Sequence, residues 1–116
     1  MKTFALRNET NGKVLATQVA RADNPLSRGI GLLGRAKVSP DEGLWIGGCS
    51  AVHTLGMRAT IDLYFLDKKN VILKIVNAAQ PNRLAIACRN AASVVELGAA
   101  PELGRDVLVG DQLVLE

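Results

Sequence analysis

The segment Ile61-Asp62-Leu63-Tyr64-Phe65-Leu66 constrains the fold more than any other part of the chain. Its β-branched, aromatic and aliphatic residues favour an extended backbone. Strand alternation puts Ile61, Leu63 and Phe65 on one face and Asp62, Tyr64 and Leu66 on the other. Both faces are largely apolar, so the segment predicts an interior strand covered on both sides. The turn Asp67-Lys68-Lys69-Asn70 follows, and residues 71–79 return as a partner strand.

The rest of the chain supplies further strands. Residues 2–7 and 13–20 flank the turn Asn8-Glu9-Thr10-Asn11-Gly12 and read as an opening hairpin. Short strands are expected at 44–46, 84–88, 93–97 and 112–115. Asn24-Pro25 is a helix start, with the helix running to about Leu33 and stopped by Gly34. A short helical turn is expected near 101–105. With 116 residues the chain is one domain, 1–116. Its aromatic fraction is only 3%, so Val, Ile, Leu and Ala must fill the core. The expected class is mostly β: a small single-domain β-barrel-like or compact sandwich fold with one or two short helices.

Composition excludes several functions. The net charge is +3, but the basic residues are dispersed, and Lys68-Lys69 is the one adjacent pair. A nucleic-acid binder clusters its cations, so nucleic acid is an unlikely partner. No apolar run has the length of a membrane span, and the N-terminal residues lack a signal-peptide core. The expectation is a cytoplasmic protein with no membrane association and free thiols at Cys49 and Cys88.

The chemistry-bearing residues concentrate in 49–67, which holds Cys49, the single histidine His53, and Asp62. Four residues of extended chain separate Cys49 from His53 by about 13 Å, too far to share one ion. Metal is therefore not expected. The same spacing disfavours a Cys49–His53 nucleophile pair, while Cys88 with His53 stays open. Gly29-Ile-Gly31-Leu-Leu-Gly34 has a phosphate-loop spacing but lies inside the expected helix, so it carries no weight. Asp62 is the most informative residue. A carboxylate inside a two-sided apolar strand must be hydrogen-bonded, paired or near a rim. His53, Thr54, Arg58 and Arg28 are the nominated partners. Glu96 interrupts a second apolar strand in the same way, and joins the expected polar cluster.

These residues also resemble a known family. The string His53-Thr54-x-Gly56-Met57-Arg58-x-x-Ile61-Asp62 is similar to that of domain-of-unknown-function family 192, which is bacterial and archaeal. Arg28-Gly-Ile-Gly-Leu-Leu-Gly-Arg35, Glu42-Gly-Leu-Trp45, Pro81-Asn-Arg83, Val95-Glu96-Leu97 and Gly110-Asp111 extend the likeness over nearly the whole chain. The resemblance implies a small, mostly β, barrel-like domain. Many relatives carry a leader or lipid anchor, and this chain looks like the cytoplasmic type. In many relatives Cys49 and His53 are replaced while the acid at Asp62 stays, which implies that Asp62 is the central polar residue. This chain departs from the family at Ala99-Ala100-Pro101, where relatives usually carry Gly after the Ala. The resemblance brings no activity and no cofactor.

Three functions are in play. The first is a non-enzymatic domain whose polar pocket binds a small molecule or a protein partner through Arg28, His53, Thr54, Met57, Arg58, Asp62 and Glu96. The second is a hydrolase-like enzyme with Asp62 or Glu96 as general base and His53 as acid. The third is a structural or interaction domain without a pocket.

Overall fold

A computed structural model describes residues 2–22, 37–52, 58–82, 86–100 and 104–116. Nine strands occur among them: β1 (Thr3–Asn8), β2 (Val14–Ala22), β3 (Glu42–Gly47), β4 (Ala51–Val52), β5 (Ile61–Leu66), β6 (Ile72–Ala79), β7 (Ile86–Ala87), β8 (Ser93–Gly98) and β9 (Leu113–Leu115). Seven form one mixed sheet in the order β6-β5-β8-β3-β2-β1-β9, and β4 and β7 form a separate two-stranded ribbon.

The hairpin β1–β2 and the pair β5–β6 form as expected, both antiparallel. The parallel pairing of β2 with β3 was not expected. A parallel pair needs a crossover of a dozen or more residues, and residues 23–41 supply it. This crossover inserts β3 and β8 between the two hairpins, giving one mixed sheet instead of a sandwich of two.

The expectation of a closed barrel is corrected. The edge strand β6 meets the segment leading into β9 at one isolated bridge, Val71 with Gln112. Ile72 N–H donates to Asp111 C=O and Gly110 N–H to Ile72 C=O, each at 2.9 Å. Beyond this point no ladder among the described residues joins the two, and with respect to them the curled sheet stays open along the rest of β6. The one or two short helices are not borne out among the described residues, which contain no helix. The segment Pro25–Leu33 lies outside them, and so does most of the turn near 101–105.

Apolar clusters cover both faces of β5. Tyr64 and Leu66 join Leu6, Val19, Trp45, Ile72, Val95, Leu97 and Leu113 on the inner face of the curl. Ile61, Leu63 and Phe65 join Leu44, Ile46, Val52, Ile86 and Val94 on the outer face. All six residues of β5 are buried, as an interior strand between β6 and β8 requires. No described helix is long and apolar enough to cross a membrane.

Candidate functional site

Asp62 sits on the inner face near the start of β5, only 5% exposed. Its position is set by an irregularity in the neighbouring strand. Ile61 pairs with Ala79 and Leu63 with Val76, so Asp62 alone opposes both Asn77 and Ala78. This is a β-bulge, and Ala78 adopts φ 51°, a left-handed conformation that a residue with a Cβ adopts at a cost. The carboxylate holds it there: Ala78 N–H donates to Asp62 Oδ1 at 2.7 Å.

The second carboxylate oxygen faces the segment after β8. Ala100 N–H donates to Oδ2 at 3.4 Å, and Arg105 Nη1 donates to the same oxygen at 2.5 Å. The Arg105 Nη2 atom donates to Pro40 C=O at 2.5 Å and to Gly98 C=O at 2.7 Å. One buried ion pair thus ties together β5, the β6 bulge, the end of β8, the 38–40 loop and the 104–106 segment. Gly98 permits the approach of the 38–40 loop, since a Cβ there would run into Ser39 C=O and Val38 C=O. Arg105 Nε is buried and finds no hydrogen-bond partner among the described residues.

A hollow of about 380 Å³ opens beside this pair, where β6 and the 104–107 segment part. Tyr64 and Ile75 contribute to its wall, with Asn77 and Ala78 from the bulge and Arg105 and Val107 opposite. Burial pushes the Tyr64 phenol above its ordinary pKa, and the positive charge of the neighbouring Arg105 opposes the rise. Tyr64 is therefore a neutral hydroxyl at physiological pH. A second hollow of about 330 Å³ lies across Arg105, against Lys13, Leu15 and Pro40. Arg105 and Ala100 belong to both walls.

The expected cluster is only partly assembled. Arg28, His53, Thr54 and Met57 lie outside the described residues. Arg58 is exposed and lines a different hollow, with Lys37, Ser39 and Glu42. Arg105, not Arg58, carries the charge that faces Asp62. Glu96 is buried at 3% exposure, but on the other side of the sheet. It pairs in register with Leu63 of β5 and Leu44 of β3, which point to the outer face. Asp62 pairs with Leu97, which points inward. Directly paired residues share a face, so the sheet itself separates the two acids. Arg105, Tyr64 and the Asn77–Ala78 bulge were not among the expected site residues. That a carboxylate in such a strand needs a partner was legible, but that Arg105 supplies it was not.

Chemically, the arrangement offers hydrogen bonds more readily than proton transfer. Both oxygens of Asp62 accept from fixed donors, and the described residues place no nucleophile against a base there. Among them no group of three His, Cys, Asp or Glu side chains could hold a metal ion.

The sequence profile of the family DUF192, Uncharacterized ACR, matches residues 6–115. No curated protein matches the chain. Two solved structures are similar to it. One is a candidate transcription regulator from Sinorhizobium meliloti 1021, 25% identical, with a TM-score of 0.79, covering 97% of this chain and 91% of that one. The other is a protein of unknown function from Novosphingobium aromaticivorans DSM 12444, 14% identical, with a TM-score of 0.74, covering 96% of this chain and 82% of that one.

Proposed function

We propose that this chain, which belongs to the DUF192 family, is a non-enzymatic domain that binds a small uncharged polar molecule in the hollow beside Asp62 and Arg105. The observation that carries this reading is the combination of an apolar wall and neutral polar groups in one concavity. Its volume, about 380 Å³, falls in the range typical of small-molecule sites, roughly 300–1,000 Å³. Ile75 and Val107 supply apolar contact, and Tyr64 and Asn77 supply a hydroxyl and a carboxamide. The two charges cancel each other, so a charged ligand would enter without a counter-ion and lose its hydration. A neutral ligand with hydrogen-bonding groups carries no such cost.

The hydrolase alternative finds less support. Asp62 is engaged by Ala78, Ala100 and Arg105, and Glu96 points to the opposite face. The Sinorhizobium neighbour is described as a candidate transcription regulator, but the dispersed basic residues of this chain do not favour a nucleic-acid partner.

The test is a titration of the full chain with a panel of neutral polyols, amides and small cyclic alcohols, followed by amide NMR. Binding in the hollow is expected to move the Ala78, Ala100 and Val107 resonances in a saturable way. Asn77→Ala, at an exposed position, is expected to weaken the response without loss of fold. The reading fails if no member moves these resonances, or if saturable shifts appear only elsewhere.

A further inference from the structure

The chain contains two cysteines, and both are unbridged and half-buried. Their neighbourhood is set by the small ribbon, in which Ala51 pairs with Ala87 and Val52 with Ile86. Carrying this register one residue outward puts Ser50 opposite Cys88, and the Cys88 N–H donates to Ser50 C=O at 3.0 Å. Cys49 is therefore the diagonal neighbour of Cys88. The turn after Cys88 folds back onto it: Ala91 N–H donates to Cys88 C=O, and Cys49 N–H donates to Ala92 C=O at 3.1 Å.

Chains paired in this way lie about 4.7–4.9 Å apart and rise roughly 3.4 Å per residue, so diagonal Cα atoms are about 6 Å apart. A disulfide spans Cα separations of about 4.4–6.8 Å. In a regular ribbon the two side chains would point to opposite faces. Here both cysteines lie just outside the paired strands, and the backbone bends at Gly48 (φ 64°) and Asn90 (φ 73°). Both side chains pack against the same apolar cluster as Val52 and Ile86. Each thiol makes a local contact with a backbone carbonyl, Cys49 with Ala51 at 3.0 Å and Cys88 with Arg89 at 3.5 Å. Thiols are weak donors, so little is lost when these contacts go.

We propose that Cys49 and Cys88 form a reversible intramolecular disulfide by exchange with a small-molecule disulfide. One cysteine thiolate attacks a sulfur of the small disulfide, forming a mixed disulfide and releasing one small thiol. The second cysteine thiolate then attacks the protein sulfur of that adduct, forming the Cys49–Cys88 bond and releasing the second small thiol. Two protein thiols are oxidised and one small disulfide is reduced to two thiols. The bond fastens the ribbon to its own turn over the outer face of the main sheet. It also closes a loop that carries β5 and β6, which restricts the unfolded chain.

The test exposes the folded, reduced chain to oxidised glutathione in dilute native buffer, followed by intact-mass and peptide-mass analysis. The native chain is expected to end two hydrogens lighter, without adduct, with Cys49 and Cys88 in one linked peptide pair and a raised melting temperature. Cys49→Ser and Cys88→Ser are each expected to stop at one retained glutathione. The proposal is overturned by stable adducts on the native chain, by linkage between chains, by unreacted thiols, or by a bond that forms only in urea.

Discussion

The chain places buried polar side chains at two points where β6 meets the segment before β9, and the two are built differently. At the joined end, Asn8 is fully buried. Its Nδ2 donates to Asp106 C=O and Asp111 Oδ2, and its Oδ1 accepts from Thr10 N–H. Asp111 also accepts from Leu108 N–H. Every polar atom of the Asn8 side chain is matched, and the backbones meet at the Val71–Gln112 bridge. At the parted end, Asp62 and Arg105 form a buried ion pair, and a hollow adjoins it. A network in which each polar atom of Asn8 is matched closes a seam; an ion pair bridging five segments holds one ajar.

The largest expected effect breaks the parted end. Arg105→Met removes the cation and leaves the Asp62 carboxylate buried. Breaking a buried pair on one side costs about 3–5 kcal/mol. Urea denaturation should show a loss of this size, and Asp62→Asn should lose less in the Arg105→Met background than alone. Additive losses would mean that the pair is not coupled. Asn8→Ala tests the joined end. It takes the amide away from the Asp111 carboxylate and the Asp106 carbonyl, at a site that water can reach, and about 1–2 kcal/mol should be lost. Amide resonances at Asp111 and Thr10 should move while those at Ala78 and Ala100 stay. Movement at all four would merge the two ends into one cooperative network.

How much of this was legible in the sequence differs from element to element. The two-sided burial of β5 was legible, because period-two alternation fixes which residues share a face before any partner is known. The central place of Asp62 followed, since a carboxylate in such a strand must find donors. Its partner was hidden because Arg105 lies 43 residues further on, in a segment without periodic pattern. The separation of Glu96 from Asp62 was hidden for a different reason. Each acid interrupts an apolar strand in the same manner, and only the register of Leu63 with Glu96 decides that they oppose. Register between strands joined through other elements is set by packing, not by either strand alone. The parallel pair β2–β3 was missed in the same way, because nothing in either strand announces a crossover. The ribbon strand β4 is two residues long, too short for any periodic signal.

A titration reads the parted end without perturbing the fold. Tyr64 is the single tyrosine, so ultraviolet absorbance of the phenolate reports the hollow alone. Burial raises its pKa above 10.0 and the charge of Arg105 restrains the rise. The folded chain then holds the phenolic proton to higher pH than the unfolded chain does. Stability from this group is complete below the unfolded value of about 10 and falls as pH rises from there through the folded value. Titration of the folded chain should therefore place the absorbance change above that of free tyrosine. In Arg105→Met, kept folded at low temperature, the restraint is gone while Asp62 remains, and the change should move higher still. A shift to lower pH in that variant would show that Arg105 does not face the phenol. Asn8→Ala should leave the titration where it is, since the joined end contributes nothing to the field at Tyr64.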